Sequence, residues 1–477
     1  MKERYLDIML KEYAASDMYP FHMPGHKRQP MDLGEGERLD ITEIHGFDNL
    51  HHAQGILREA QERTARMARA DASFYLVNGS TSGILSAVSA QTKRGGRILA
   101  ARNCHKAVYH SIFLQELKAR YLYPMSTEFG IQGSISPEEV EKKLEEYPDA
   151  ETVLITSPTY DGVVSDIRAI SRAVHARDKV LIVDGAHGAH FGFSKGFPQA
   201  ALEMGADIVI ESLHKTLPSF TQTAVLHIKG ERVNTEELRR YLGIFQTSSP
   251  SYLFMAGMDR CSRVLEKQGG ELFERFEERL DRFYDRAKNL KCLHVLDRAG
   301  EERDPGIYMR DRSKILISGS QAGISGQELM DILRRDYHLE LEMASGHYAT
   351  ALTSICDTEE GFRRLIRGLE DLDGKLSSRS RVQRNHGVSD SRLYSPVRRR
   401  MELRDAALAE KETVRLADSA GMISGEFLYL YPPGIPFVVP GEEIPQELPE
   451  QILRLKRLGY DIQGPEDYTL EGIKVVL

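Results

Sequence analysis

The chain lacks any apolar window near the roughly 18 residues that a membrane-spanning helix needs, so none of its 477 residues reads as a span. Cysteine is scarce: four residues, at 104, 261, 292 and 356, form no CxxC pair and no metal-ligand spacing. Ordinary reduced thiols are expected, with no disulfide framework and no metal site. Neither sign of charge dominates, since 63 basic residues face 71 acidic ones for a net charge of −8. Mild acidity argues against a nucleic-acid binder. The opening MKERYLDIMLKEYAASDMYP is charged and amphipathic and lacks the apolar core of a signal peptide. No internal repeat is present. What remains is a cytoplasmic, globular protein long enough for two or three domains, with no membrane or nucleic-acid partner.

From about residue 70 to 230, short apolar runs alternate with helical stretches. The runs are SFYLV, RILAA, ARYLYPM, ETVLITS, KVLIVD, ADIVIES and TAVLHIKG. Continuous rather than alternating hydrophobicity suits strands buried on both faces, as in a parallel sheet. Strand–helix alternation predicts an α/β doubly wound domain. ADIVI and TAVLHI stand too close for a helical crossover, so one of those two strands is expected antiparallel. Charged helices follow to about 290, then a smaller α+β region. The stretch KLSSRSRVQRNHGVSDSRLYSPVRRR is polar, basic and poor in large apolar residues, as in a linker. The expected division is 1–60 as an N-terminal segment lining the site, 61–290 as the large domain, 291–375 as the small domain, 376–400 as the linker and 401–477 as a C-terminal domain.

In open α/β sheets ligands gather at the carboxyl ends of strands. Lys215, in ESLHKTLPSF, sits just past such an end. A lysine that loses hydration there favours its neutral, nucleophilic amine. An isolated His–Lys pair is ordinarily a solvated loop, so the other strand ends must decide. The run SFYLV is followed by Asn78-Gly79-Ser80-Thr81-Ser82, whose hydroxyls and backbone N–H groups at a helix start suit an anion; alone they are ordinary caps. Asp184 ends KVLIVD, 31 residues before Lys215. A carboxylate buried there calls for a cation, although an N-cap role is an equal alternative. His105 follows RILAA and offers a flat ring, though a lone histidine is more often structural. Together these groups describe a phosphate anchor, a partner for a pyridinium nitrogen, a stacking ring and a reactive amine. Those are the requirements of pyridoxal 5′-phosphate.

The sequence also resembles the Orn/Lys/Arg decarboxylases, pyridoxal-phosphate enzymes of the aspartate-aminotransferase fold, fold type I. The resemblance runs nearly the whole length and rests on FHMPGHK (21–27), GFDNLH (46–51), FYLVNGSTSG (74–83), RNCHKAV (102–108), SPTYDGVV (157–164), VDGAHGAHF (183–191), SLHKTL (212–217), TSSPSYL (247–253), YPPGIPFVVPGE (431–442) and QGPEDYT (463–469). It implies a fold type I domain with a mostly parallel sheet, a smaller α+β domain and a C-terminal domain. The receiver-like wing domain of the large inducible decarboxylases is missing, so the likeness is to the shorter bacterial class, many of them arginine decarboxylases. By resemblance, Lys215 carries the cofactor as a Schiff base, His214 contacts phosphate and assists protonation, Asp184 pairs with the pyridine nitrogen, Ala186 packs on one ring face and His105 stacks on the other. Ser80, Thr81, Ser82 and Ser212 bind phosphate, and Ser248, within Thr247 to Ser251, reaches the phosphate of a neighbouring subunit in a homodimer or larger homo-oligomer. Three positions depart from the family pattern: Gly185 replaces glutamate, Gly425 replaces alanine before Glu426, and Ala107 replaces serine after His105-Lys106.

The expected reaction is decarboxylation of a basic amino acid, L-arginine to agmatine first, with lysine or ornithine as alternatives. Transamination, or another pyridoxal-phosphate reaction, is a second reading, and a non-catalytic relative a third; the intact Lys215, Asp184 and His105 speak against the last. The distal cation of the substrate needs an acceptor, for which Asp48, Asp161, Glu426, Glu466 and Asp467 are candidates.

Overall fold

The structure is a computed structural model of the 477-residue chain. It describes all residues except 1–3, 17–22, 25–26, 28–35, 379–395, 432–433 and 458. Most of FHMPGHK, most of the expected linker and the adjacent Pro432 and Pro433 of YPPGIP therefore lie outside the described residues. The chain divides into two compact units. One comprises Met1–Gln91, Ile167–Glu278 and Ser354–Asp357; the other comprises Thr92–Asp166, Arg279–Thr353 and Thr358–Leu477.

Eight strands fall in the region of alternation: β1 Ala72–Leu76, β2 Arg97–Ala101, β3 Lys118–Leu122, β4 Ala150–Thr156, β5 Val163–Val164, β6 Val180–Asp184, β7 Ile208–Ser212 and β8 Ala224–Ile228. In the first unit the order is β1-β8-β7-β6. β6 and β7 run parallel, and β8 is antiparallel to both β7 and β1. The short ADIVI–TAVLHI connection thus makes an antiparallel pair, as its length dictates. β6 is buried at every residue, and so is β8, which fits their unbroken apolar runs.

Helix Gly79–Gln91 springs from the carboxyl end of β1. Gly79 has φ +71, a left-handed turn that glycine makes without strain. Gly83 lets the helix press on the sheet. A β-carbon there would stand 2.6 Å from Leu76 Cδ1 and 3.0 Å from Ile210 Cγ2. The N-terminal helix Leu6–Ala15 is tied down by Asp259, which accepts the Leu6 N–H at 2.8 Å and pairs with buried Arg63 at 2.7 Å.

In the second unit β2 lies between β4 and β3, all parallel. A four-stranded antiparallel sheet, built on Lys314–Ser318 and Tyr348–Leu352, carries helices Gly326–Tyr337 and Glu359–Ser377. Helix Gly326–Tyr337 begins with a capping box of Ser325 and Glu328. The C-terminal stretch has its own apolar cluster, including Leu416, Leu428, Phe437, Ile452 and Ile473.

Candidate active site

Strand register brings the first unit's functional groups to one rim. Leu76, the last residue of β1, pairs with Ala224, which also pairs with Ser212, the last residue of β7. Asp184, the last residue of β6, pairs with Ile210 of the parallel neighbour β7. The carboxyl ends of β1, β6 and β7 therefore share a rim, where ligands of α/β sheets sit.

Two of the proposed phosphate hydroxyls meet across this rim. Ser80 Oγ, in the first turn of helix Gly79–Gln91, lies 2.7 Å from Ser212 Oγ. Ser82 is buried and its hydroxyl donates to the Gly79 carbonyl at 2.9 Å, while Thr81 is exposed. Ser248 is exposed, and its segment is held to its own chain by the Thr247 N–H on Asn78 Oδ1 at 3.1 Å and by His51 on the Thr247 carbonyl at 2.8 Å.

Asp184 is 2% exposed, and its carboxylate accepts the Ala186 N–H at 3.2 Å. Burial pushes its pKa up, against the charge of Lys215 and the Ala186 N–H. Ala186 is itself buried in the turn that follows. One amide leaves most acceptor capacity of a carboxylate unused. Lys215 stands on the single-turn helix Leu213–Thr216 that continues β7. Its Nζ lies 3.0 Å from Nε2 of His187. His214 Nδ1 lies 2.9 Å from the Thr223 carbonyl, so Nδ1 carries the proton. Burial lowers the His214 pKa; the Thr223 carbonyl opposes the shift and Lys215 adds to it.

His187, to which the sequence assigns no role, lies beside these groups. It is 8% exposed, three residues after Asp184, on a turn whose Gly188 N–H closes on the Gly185 carbonyl at 2.7 Å. The signal was present as the AHG after Asp184. In the second unit His105 caps helix Lys106–Leu114, and its Nδ1 accepts the Ala107 N–H at 3.2 Å, which fixes the ring and leaves the proton on Nε2.

The five acidic candidates for the substrate's distal cation all have local partners. Asp48, with φ +69, accepts the N–H groups of Asn49, Gln54, Gly55 and Leu57. Burial raises its pKa, but those amides outweigh it and the net shift is downward. Asp161 is buried and takes the Tyr348 hydroxyl at 2.7 Å, and burial raises its pKa. Glu426 accepts the N–H groups of Glu466 at 2.9 Å and Lys474 at 2.8 Å. Glu466 pairs with Lys474, and Asp467 caps Thr469, Glu471 and Gly472. A substrate cation would share these carboxylates with structure rather than find one idle.

The profile of the Orn/Lys/Arg decarboxylase major domain matches residues 6–301, and that of the family's C-terminal domain matches 397–459. The chain belongs to the Orn/Lys/Arg decarboxylase family. It is 31% identical to the arginine decarboxylase of Bacillus anthracis, covering 99% of this chain and 97% of that one. Against the arginine decarboxylase of Halalkalibacterium halodurans it is 32% identical, covering 97% and 96%. The fold matches the crystal structure of the Francisella novicida lysine decarboxylase with a TM-score of 0.83 and 21% identity, over 99% of this chain and 81% of that one.

Family membership makes this an amino-acid decarboxylase that uses pyridoxal phosphate. The residues present fit that cofactor. A buried carboxylate with one amide partner suits a protonated ring nitrogen. The Ser80–Ser212 hydroxyl pair, beside the start of a 13-residue helix, suits a phosphate. Among the described residues no cluster of histidine, cysteine or acidic side chains could hold a metal ion, and no helix is long and apolar enough to cross a membrane.

Proposed function

We propose that the chain decarboxylates L-arginine to agmatine and CO₂, in the cytoplasm, as a homodimer or larger homo-oligomer with a shared active site. The observation that carries the reaction is the convergence of Asp184, Lys215 and the Ser80–Ser212 pair on one strand rim. The two full-length relatives named arginine decarboxylase support the substrate. We also read 401–477 as a C-terminal domain separate from the large domain of 61–290 and the small domain of 291–375, with 1–60 lining the site.

Pyridoxal phosphate, when bound, supplies an electron sink for the pair left behind by CO₂. The protein's own groups do the rest. Lys215 would hold the cofactor through Nζ and would yield that position to the substrate's α-amine. Asp184 keeps the ring nitrogen protonated, because an adjacent opposite charge favours the charged form. Ser80, Thr81, Ser82, Ser212 and His214 would bind its phosphate, and Ser248 would do so across a subunit boundary. By the family resemblance, Ala186 and His105 would each contact the cofactor ring. Lys215 or His214 would supply the proton to Cα, a general-acid contribution of roughly 10²–10⁴-fold.

The test is CO₂ release and amine analysis on the purified protein with arginine, lysine and ornithine offered separately. Agmatine from arginine alone is expected. Cadaverine or putrescine would keep the reaction and change the substrate. Absence of CO₂ from all three, with keto acid formed instead, would refute decarboxylation. Lys215→Ala should lose the visible absorbance of lysine-bound cofactor, and a variant that kept it would remove Lys215 from its role.

A further inference from the structure

We infer that His187 is the proton acceptor for Lys215, the group that converts its ammonium into the neutral amine that captures the cofactor. The inference rests on the function proposed above and adds a residue to it.

The carrying observation is the 3.0 Å approach of Lys215 Nζ to His187 Nε2. An ammonium offers only donors, so a charged Lys215 at this distance donates to an unprotonated His187 Nε2, the contact along which the proton would pass. Lysine near its ordinary pKa is neutral in only about one molecule in 10³ at pH 7, whereas imidazole titrates close to that pH. His187 is buried, and Lys215 is half-buried on the one-turn helix, so bulk water is a poor competitor for the proton. The transfer balances: the proton leaves Nζ for Nε2, the Nζ lone pair is freed, and the positive charge passes from ammonium to imidazolium. Asp184 interacts with the charge of Lys215, which opposes the upward shift that burial imposes on the carboxyl.

Asp184 closes β6, and His214 and Lys215 share the short helix. On the neighbouring strands Glu211 of β7 faces His227 of β8 at 3.4 Å, and His227 Nδ1 is taken by Ser73 Oγ at 2.7 Å. His214 is committed through Nδ1 to the Thr223 carbonyl. His187 is an imidazole placed on Nζ.

The experiment uses the full chain stripped of cofactor and then given pyridoxal phosphate, with the visible absorbance of lysine-bound cofactor followed against pH. In the wild type the rate should rise through a group titrating in the histidine range. In His187→Gln, which keeps a hydrogen-bonding side chain but cannot titrate, the rate at pH 7 should fall at least ~10-fold. It should recover at pH values where lysine loses its proton to water. A purely structural role would lower the rate equally at all pH values, and that result overturns the inference. So does a wild-type profile with its only inflection near the ordinary lysine value, a measurement that needs no variant. Failure of the wild type to form any lysine-bound cofactor would overturn the proposed function itself. Formation with an unchanged His187→Gln profile would overturn only this inference.

Discussion

Replacing Asp184 by asparagine should make the cofactor-free protein more stable and the loaded protein less so. Asp184 is 2% exposed, and a single backbone N–H at 3.2 Å meets its carboxylate. A buried ion costs several kcal/mol unless it is paired. Lys215 and the Ala186 amide return part of that. The net gain from asparagine, which still accepts the amide, should be about 1–2 kcal/mol at pH 8. That corresponds to a rise in Tm of about 1–4 °C, depending on how much of the chain melts together. Because burial raises the folded pKa, the wild-type folded state binds its proton more tightly than the unfolded chain does. Wild-type stability therefore falls as pH rises through the shifted range. The advantage of the variant should shrink as pH falls toward the ordinary aspartate value, about 4.

Adding pyridoxal phosphate should reverse the order. A ligand that binds only the folded state stabilises it in proportion to the logarithm of concentration over Kd. Each tenfold loss of affinity costs about 1.4 kcal/mol of that gain. Thermal melts of both proteins, with and without cofactor, at pH 5 and pH 8, test the reasoning. An apo variant no more stable than wild type at pH 8, together with an equal gain from cofactor, would refute it.

Other consequences are separable. Ser80→Ala and Ser212→Ala should each weaken cofactor binding about 5–30-fold in a fluorescence titration, and the double variant should lose less than the product, because the two hydroxyls share one contact. The His214 ring, held below the ordinary histidine pKa by burial, should titrate higher once a phosphate dianion is beside it; an NMR titration that stays put would place the phosphate elsewhere. Glu426→Gln should cost about 1–3 kcal/mol by weakening the acceptor for the Glu466 and Lys474 amides. A steep rise in KM with an unchanged melt would instead make Glu426 the reader of the substrate side chain.

The strands and their directions were legible because burial on both faces writes an unbroken apolar run, and because the gap between ADIVI and TAVLHI is too short for a crossover. Strand ends then named Asp184, Ser212 and Lys215 without any contact being known. What the sequence could not show was how lone pairs are shared out. Asp48 looks like a free acid in GFDNL, yet four backbone amides converge on it once the chain turns through a left-handed residue. His187 was missed for the opposite reason. Its role depends on a turn that aims Nε2 at a lysine 28 residues away, and no periodicity encodes that aim.

The departure at position 185 has a steric account in the same turn. A β-carbon on Gly185 would stand 3.2 Å from Val209 Cγ1 and 3.5 Å from the Ile210 carbonyl, a tight fit against β7. It would also lie 3.7 Å from Cγ of Glu211. A glutamate side chain here would therefore enter a space already bordered by one acid, directly next in the chain to buried Asp184. A glutamate carboxylate close to that buried group would raise its pKa further. Glycine lets the turn lie close on β7 and leaves Asp184 with its one amide and the charge of Lys215. In this chain the local backbone approach and the electrostatics of the cofactor partner favour the same residue.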